Sequence, residues 1–311
     1  MASAPRRTTA LIGLSAARRT TALIGLTTAA LALAACSGSS HPAKASGAAA
    51  VSMVPQRILR APGSLVSATQ PQPNGSMWML AGVSSRGLFE MDSSTGRLTG
   101  SVSVSGAARS VAETSTGVIG LALGTKHSGA LELLSGTGKV TKSVPLPGPA
   151  RQVVVGSDGT TFYVLSRTSR TASVTIVGSH AGRVLGSVPM PSDAVSVVPD
   201  LRQTTLYALE SNGLVDQIDI AGGKVAARFR AARTGETAQS IAISPDGHTL
   251  YVLKTADGVS NIADVSIAAE AVRKVRPAPS HCVGLLVSSS GGQLYELVGT
   301  ASYGNIQVFA A

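Results

Sequence analysis

Beyond residue 53 the apolar positions fall into short runs, each closed by a turn of small and polar residues. "IAISPDGHTLYVL" (Ile241 to Leu253) shows the unit: an apolar strand, an Asp-Gly turn, and a second strand ending on Tyr-Val-Leu. Asp-Gly is a strong hairpin turn because glycine takes positive φ without strain. A looser copy, "VVVGSDGTTFYVL", runs from Val153 to Leu165. No stretch shows the 3.6-residue period of an amphipathic helix, so the pattern predicts strands throughout.

The unit recurs. Tyr163, Tyr207, Tyr251 and Tyr295 are spaced by 44, 44 and 44 residues. One step earlier stands Ile119, and 41 residues before that Trp78, which makes six copies. Each copy adds a third strand, such as "SVTIVG" at Ser173 or "NIADVS" at Asn261. A fourth follows a small-residue turn, as in "TGRLTGSVSV" at Thr95. Four strands in about 44 residues read as one propeller blade. A quartet of strands cannot cover both of its own faces, so copies must stack around an axis. The near-continuous apolar runs suit strands covered on both sides.

Six blades need about 264 residues, and 275 follow Cys36. The expectation is therefore an all-β fold over residues 53–311: a β-propeller of six four-stranded blades, with seven as the alternative. The last copy stops after its third strand, at "NIQVFAA", while "PQRILRAPG" (Pro55 to Gly63) has the pattern of a fourth strand. Pairing of Arg57–Arg60 with Asn305–Phe309 is predicted to close the ring. An open β-sandwich is the competing architecture, but it does not require equal spacing. The stretch "SIAISPDGHTLYVL" resembles the repeat of YVTN-type (YncE-like) β-propellers, exported bacterial proteins that commonly have seven blades. That resemblance implies a scaffold and carries no catalytic residue.

The N-terminus has a different pattern. Arg6, Arg7, Arg18 and Arg19 precede an apolar run from Thr21 to Ala35, then "LAAC" ending on Cys36. A basic head, an apolar stretch and small residues before a cysteine resemble a bacterial lipobox. The resemblance implies cleavage before Cys36 and acylation of its thiol. The expected organisation is a leader over 1–35, a lipid anchor on Cys36, and a flexible tether over 36–52. This puts the protein on the extracytoplasmic face of the cell membrane. A membrane-spanning helix is the competing reading, but the run is shorter than the ~20 apolar residues a span needs. "RRTTALIGL" occurs twice, at Arg6 and Arg18. No Phe follows the paired arginines, so general export rather than the twin-arginine route is expected.

Charge then changes the picture modestly. The formal net charge of +10 loses four arginines with the leader, leaving 22 basic against 16 acidic residues. A mildly basic exterior suits anionic headgroups. Nucleic acid is not expected as a partner, since no basic cluster is interleaved with aromatics. With Cys36 acylated, Cys282 has no disulfide partner. Its position opening the run "CVGLLV" predicts a buried thiol.

Candidate chemistry is sparse. Propellers bind ligands where the loops entering the innermost strands converge. Aligning the copies puts Ser64, Arg109, Arg151, Asp193, Gln239 and His281 near that mouth. Two arginines and a histidine could hold a carboxylate or phosphate by charge-assisted bonds; a solvated loop ring is the competing reading. The five histidines have no partners at ligand spacing, and no metal site is expected from local sequence. GxSxG and HExxH are missing. "SGTGKVT" (Ser135 to Thr141) lacks the first glycine of a phosphate loop and is explained as a turn. No cofactor is expected: a quinone would need aromatic stacking, and aromatics are 3% of the chain. The sequence thus supports a lipid-anchored binding or assembly module, its partner an envelope protein or a small anionic ligand. One alternative is a propeller lactonase- or lyase-type enzyme with a metal held by several blades; another is a purely structural envelope protein.

Overall fold

The computed structural model describes residues 54–82 and 86–311. The leader, Cys36 and the tether lie outside the described residues.

Among the described residues, twenty-four strands form six antiparallel sheets of four. Blade one runs through Leu65–Ala68, Ser76–Ala81, Gly87–Asp92 and Leu98–Ser103 from the axis outward. The innermost strands of blades two to six are Ala108–Glu113, Ala150–Val155, Ala194–Pro199, Thr237–Ile243 and Cys282–Val287. Each touches the next around the axis, and the last returns to Leu65–Ala68. The fold is a six-bladed β-propeller.

Blade six is completed by the N-terminal strand Arg57–Ala61. It pairs antiparallel with the third strand, Gly304–Ala310, with Arg57 opposite Val308 and Arg60 opposite Asn305. The ring is therefore closed by its own two ends, as the sequence pattern predicts, and no blade is left one strand short.

The core sits in the seams between blades. Tyr163, Leu165 and Val174 of blade three pack on Val197, Leu206 and Ala208 of blade four. Tyr207, Leu209 and Phe229 of blade four pack on Leu250, Val252 and Ala263 of blade five. The recurring tyrosines stand at one position of the second strand, opposite Val154, Val198, Ala242 and Leu286 in turn. In blade two that position belongs to Gly120, opposite Ala112, and not to Ile119. The hairpin turn there is one residue shorter, so a strict 44-residue step lands one residue early. The missing side chain is replaced from the neighbouring blade. The Phe162 ring covers Gly120 so closely that an added Cβ would lie 2.7 Å from it.

Candidate functional site

Every innermost strand carries the same irregularity. The register with its partner slips between Leu65 and Ser67, Ala108 and Ser110, Ala150 and Gln152, Ala194 and Ser196, Ala238 and Ser240, and Cys282 and Gly284. A bulge inserts one residue that the ladder cannot pair, and so re-aims its side chain. The bulged residues are Val66, Arg109, Arg151, Val195, Gln239 and Val283, and all six line the central cavity. Its volume of about 570 Å³ is in the range of small-molecule sites.

The residue after each bulge has a different job. Ser67 Oγ accepts the Val111 N–H at 3.2 Å, and Ser110 Oγ accepts that of Val153 at 3.2 Å. Gln152 Oε1 accepts from Val197 at 2.7 Å, Ser196 Oγ from Ile241 at 3.2 Å, and Ser240 Oγ from Leu285 at 3.3 Å. Blades one to five thus each cap a main-chain N–H of the next with a side-chain oxygen. At the sixth seam Gly284 has no side chain to offer. These ties hold the inner ring in one register, which fixes where the bulged side chains point.

The bulges divide by chemistry. Val66, Val195 and Val283 are apolar, while Arg109, Arg151 and Gln239 are exposed polar side chains. Arg109 and Arg151 sit on adjacent blades. Arg109 Nε donates to the Gly124 carbonyl at 3.3 Å, which anchors the guanidinium by one edge and leaves its two terminal nitrogens for a ligand. Neither arginine is in an ion pair among the described residues; all four ion pairs involve Arg228, Lys254 or Arg276. Arg86 stands beside Arg109. Burial, and then that neighbouring positive charge, pull its pKa below the ordinary value.

Three residues expected in the ring at the mouth, Ser64, Asp193 and His281, lie at the entry to their innermost strands and do not line the cavity. Ser64 lies just before the innermost strand of blade one, where its carbonyl accepts the Gly82 N–H at 3.1 Å. Asp193 joins an ion cluster on blade four. There Arg228 bonds Asp216 through two nitrogens and reaches Glu210 at 3.2 Å. Burial first, then Asp193 and Asp216, push Glu210 up to about 7. His281 is exposed in the turn before Cys282, with a left-handed φ of 62°. The structural equivalents at the mouth come two residues later, at Val66, Val195 and Val283. A sequence signal marks five of the six bulges: Ala or Leu, any residue, then Ser or Gln, as in Leu65-Val66-Ser67 and Ala194-Val195-Ser196; at Cys282-Val283-Gly284 it fails.

At the far end of the cavity the lining includes Gln70, Gln72, Glu113 and Ser157. Burial, helped by the Glu90 carboxylate, pushes Glu113 up to about 7. It lies four residues beyond Arg109 on one strand, roughly 13 Å at strand rise. The cavity therefore has a cationic mouth and a weak acid near its other end. Between them the lining is mostly Ser, Val, Ala and Leu. Among the described residues no group of three or more His, Cys, Asp or Glu side chains could hold a metal ion.

No protein-family model matches this chain, and no curated protein matches it. Solved structures do share its fold. One is Kuenenia stuttgartiensis hydrazine synthase, with a TM-score of 0.60 and 17% identity, over 75% of this chain and 73% of that one. At that identity the likeness concerns the fold alone. No helix among the described residues is long and apolar enough to cross a membrane.

Proposed function

We propose that this protein is a lipid-anchored, extracytoplasmic β-propeller that works as a binding module, taking a small anionic ligand at the mouth of its central cavity. The observation that carries the reading is the pair Arg109 and Arg151. Both are held at bulges, both line the cavity, and neither has an acidic partner among the described residues. Guanidinium forks match carboxylate and phosphate oxygens in two-point contacts. Gln239 adds an uncharged donor and acceptor on the same ring. The valines at the other three bulges would contact the ligand's apolar part.

Calorimetric titration with a panel of di- and tricarboxylates and phosphate monoesters tests the reading. Saturable binding is expected, weakened about tenfold or more by Arg151→Ala, in line with loss of a charge-assisted bond. A panel that gives no heat, or binding indifferent to Arg109→Ala and Arg151→Ala, overturns it. Anchoring is tested separately: incorporation of labelled palmitate, lost in Cys36→Ser.

A further inference from the structure

The unpaired charge at the mouth continues outward. The end of the propeller where the innermost strands begin carries six cations on blades one to three. Arg86 immediately precedes the third strand of blade one, and Arg109 and Arg151 occupy bulges. Lys126 lies in the hairpin between Gly124 and Gly129. Arg167 ends the second strand of blade three, and Arg170 lies in the turn that follows.

The described carboxylates of these blades are elsewhere. Glu90 and Glu132 are within third strands, and Asp92, Glu113 and Asp158 are at the opposite end. On blades four and five the same end is mixed, with Asp193, Glu210, Glu236 and Asp257 among its cations. Blades one to three therefore carry their cations at this end without a carboxylate beside them, unlike blades four and five.

Packing forces these cations together. A Cβ on Gly124 would lie 2.4 Å from the Ala150 carbonyl, and one on Gly129 2.2 Å from that of Gly148. The Lys126 hairpin thus rests against the loop that leads to Arg151. On the other side Arg86 lies close enough to Arg109 to feel its charge, with Nη1 buried and without a hydrogen-bond partner among the described residues. Like charges packed without counterions repel, and an anion relieves that repulsion.

The surroundings narrow the anion's class. The hairpin "TKHS" (Thr125 to Ser128) and the turn "TSRT" (Thr168 to Thr171) offer no Phe, Tyr or Trp and no large aliphatic side chain, the single imidazole of His127 being their one ring. Protein interfaces rely on such anchors, and single-stranded nucleic acids on aromatic platforms. A flexible chain of repeated phosphates needs only the cations.

We propose that the mouth end of blades one to three is a docking sector for an extended polyphosphate-type polyanion, one end of which occupies the Arg109–Arg151 mouth. The inference rests on the proposed small-anion site at that mouth and gives the ligand's extended form. Phosphate chemistry could come from such a polymer or from free phosphate, and chain length separates the two.

The test uses the full chain carrying Cys36→Ser, titrated with long-chain polyphosphate, tripolyphosphate and orthophosphate in fluorescence anisotropy. The long chain is expected to bind about tenfold or more tighter than tripolyphosphate, falling steeply with salt as counterions are released. The surface variant Lys126→Gln/Arg167→Gln/Arg170→Gln should lose that length-dependent gain and change the small-anion titration by less than about threefold at physiological salt, where exposed charges are screened. Arg151→Ala should weaken both. Equal affinity for long and short chains marks a free-phosphate site and overturns the sector, as does a triple variant that binds the long chain like the parent. Tighter binding of polyglutamate or oligothymidylate of equal charge overturns it in favour of an acidic protein or a nucleic acid. Loss of small-anion binding alone would strike the mouth and spare the sector.

Discussion

Two neighbouring seams of this propeller solve the same packing problem with opposite chemistry. Between blades four and five, Phe229 and Val215 of one blade meet Val252 and Ala263 of the next, and all four are buried. Between blades five and six, the position of Phe229 holds Arg276, paired with Ile262 as Phe229 is with Val215. The position of Val252, next to the ring tyrosine, holds Glu296. Arg276 and Glu296 are 5% and 1% exposed. Arg276 lies over the Tyr251 ring at 5.3 Å and approaches Asp264 at 3.4 Å, but its Nε and Nη2 make no hydrogen bond. Both Glu296 oxygens are likewise without a partner among the described residues. Burial pushes Glu296 up to about 7 against the pull of Arg276, and Cys282, beside it in the same seam, is pushed up to about 12 by burial and then by the Glu296 charge. The strands and their registers are the same in both seams. What this teaches is that the alternating apolar pattern builds the blade, while the seam tolerates a change of chemistry if both sides change together.

The most severe way to break the comparison is to change one side only. Arg276→Ala deprives Asp264 of its ion-pair partner and the buried Glu296 of its neighbouring positive charge, and up to about 3–5 kcal/mol of stability should be lost above about pH 7, where Glu296 is ionised. Changing both sides to copy the neighbouring seam, Arg276→Phe with Glu296→Val, in a chain that also carries Asp264→Gln to match Gln217 of blade four, should restore stability to the parent level or exceed it by about 1–4 kcal/mol. Urea unfolding of the three proteins decides the matter. A triple variant as weak as Arg276→Ala would mean that the seam depends on its charges for more than mutual compensation.

The carboxyl side gives a milder probe, through pH. Glu296 has a folded pKa of about 7, above its ordinary value of 4.5, so the folded state holds this proton more tightly than the unfolded chain. Its contribution is fully present below about pH 4.5 and is lost as pH rises through about 7. Glu113 and Glu210, also pushed up to about 7, act in the same direction. Midpoint unfolding temperature should fall from pH 5 to pH 7.5, and Glu296→Gln should flatten part of that fall. An unchanged slope in the variant would show that the carboxyl is solvated in the folded state.

These seams also mark how far the sequence could be read. The 44-residue step, the Asp-Gly turns and the truncated last copy depend on local order along the chain, and from them the blades, their number and the terminal closure were legible. The seam charges were not, because which face an alternating side chain presents, and to which blade, follows only from register. Gly120 hides for a related reason: one residue fewer in a turn shifts the frame, and the filling side chain, Phe162, belongs to another blade. At the cavity mouth Arg109, Arg151 and Gln239 were found, since the first strands of their copies align well. Ser64, Asp193 and His281 were picked two residues early, because a bulge looks like any other residue until its ladder is seen.

The serine ties offer a smaller contrast. Ser196 joins the apolar seam and Ser240 the charged one, by the same bond to the next blade's N–H. Each Ser→Ala change deprives a buried N–H of its acceptor and should cost about 1–2 kcal/mol. If the ties act independently of the seam chemistry, the two costs should agree within about 0.5 kcal/mol. A much larger cost at Ser240 would couple the inner ring to the Arg276–Glu296 pair.

The sixth seam lets the same bond be added instead of removed. Gly284 stands where the other blades have Ser or Gln, and the matching N–H on blade one is that of Ala68. A Cβ at Gly284 would meet only Leu297, at 3.7 Å, an ordinary contact. Gly284→Ser should therefore place a hydroxyl within reach of the next blade without displacing anything. A new tie contributes about 0.5–1.5 kcal/mol, and replacing glycine at a compatible site adds about 0.4–1 kcal/mol by restricting the unfolded chain. Gly284→Ala isolates the second effect from the first. If serine and alanine stabilise equally, the gain is chain entropy alone and the hydroxyl makes no tie. If serine exceeds alanine, the ring of side-chain oxygens can be completed at the one seam where the sequence left it open.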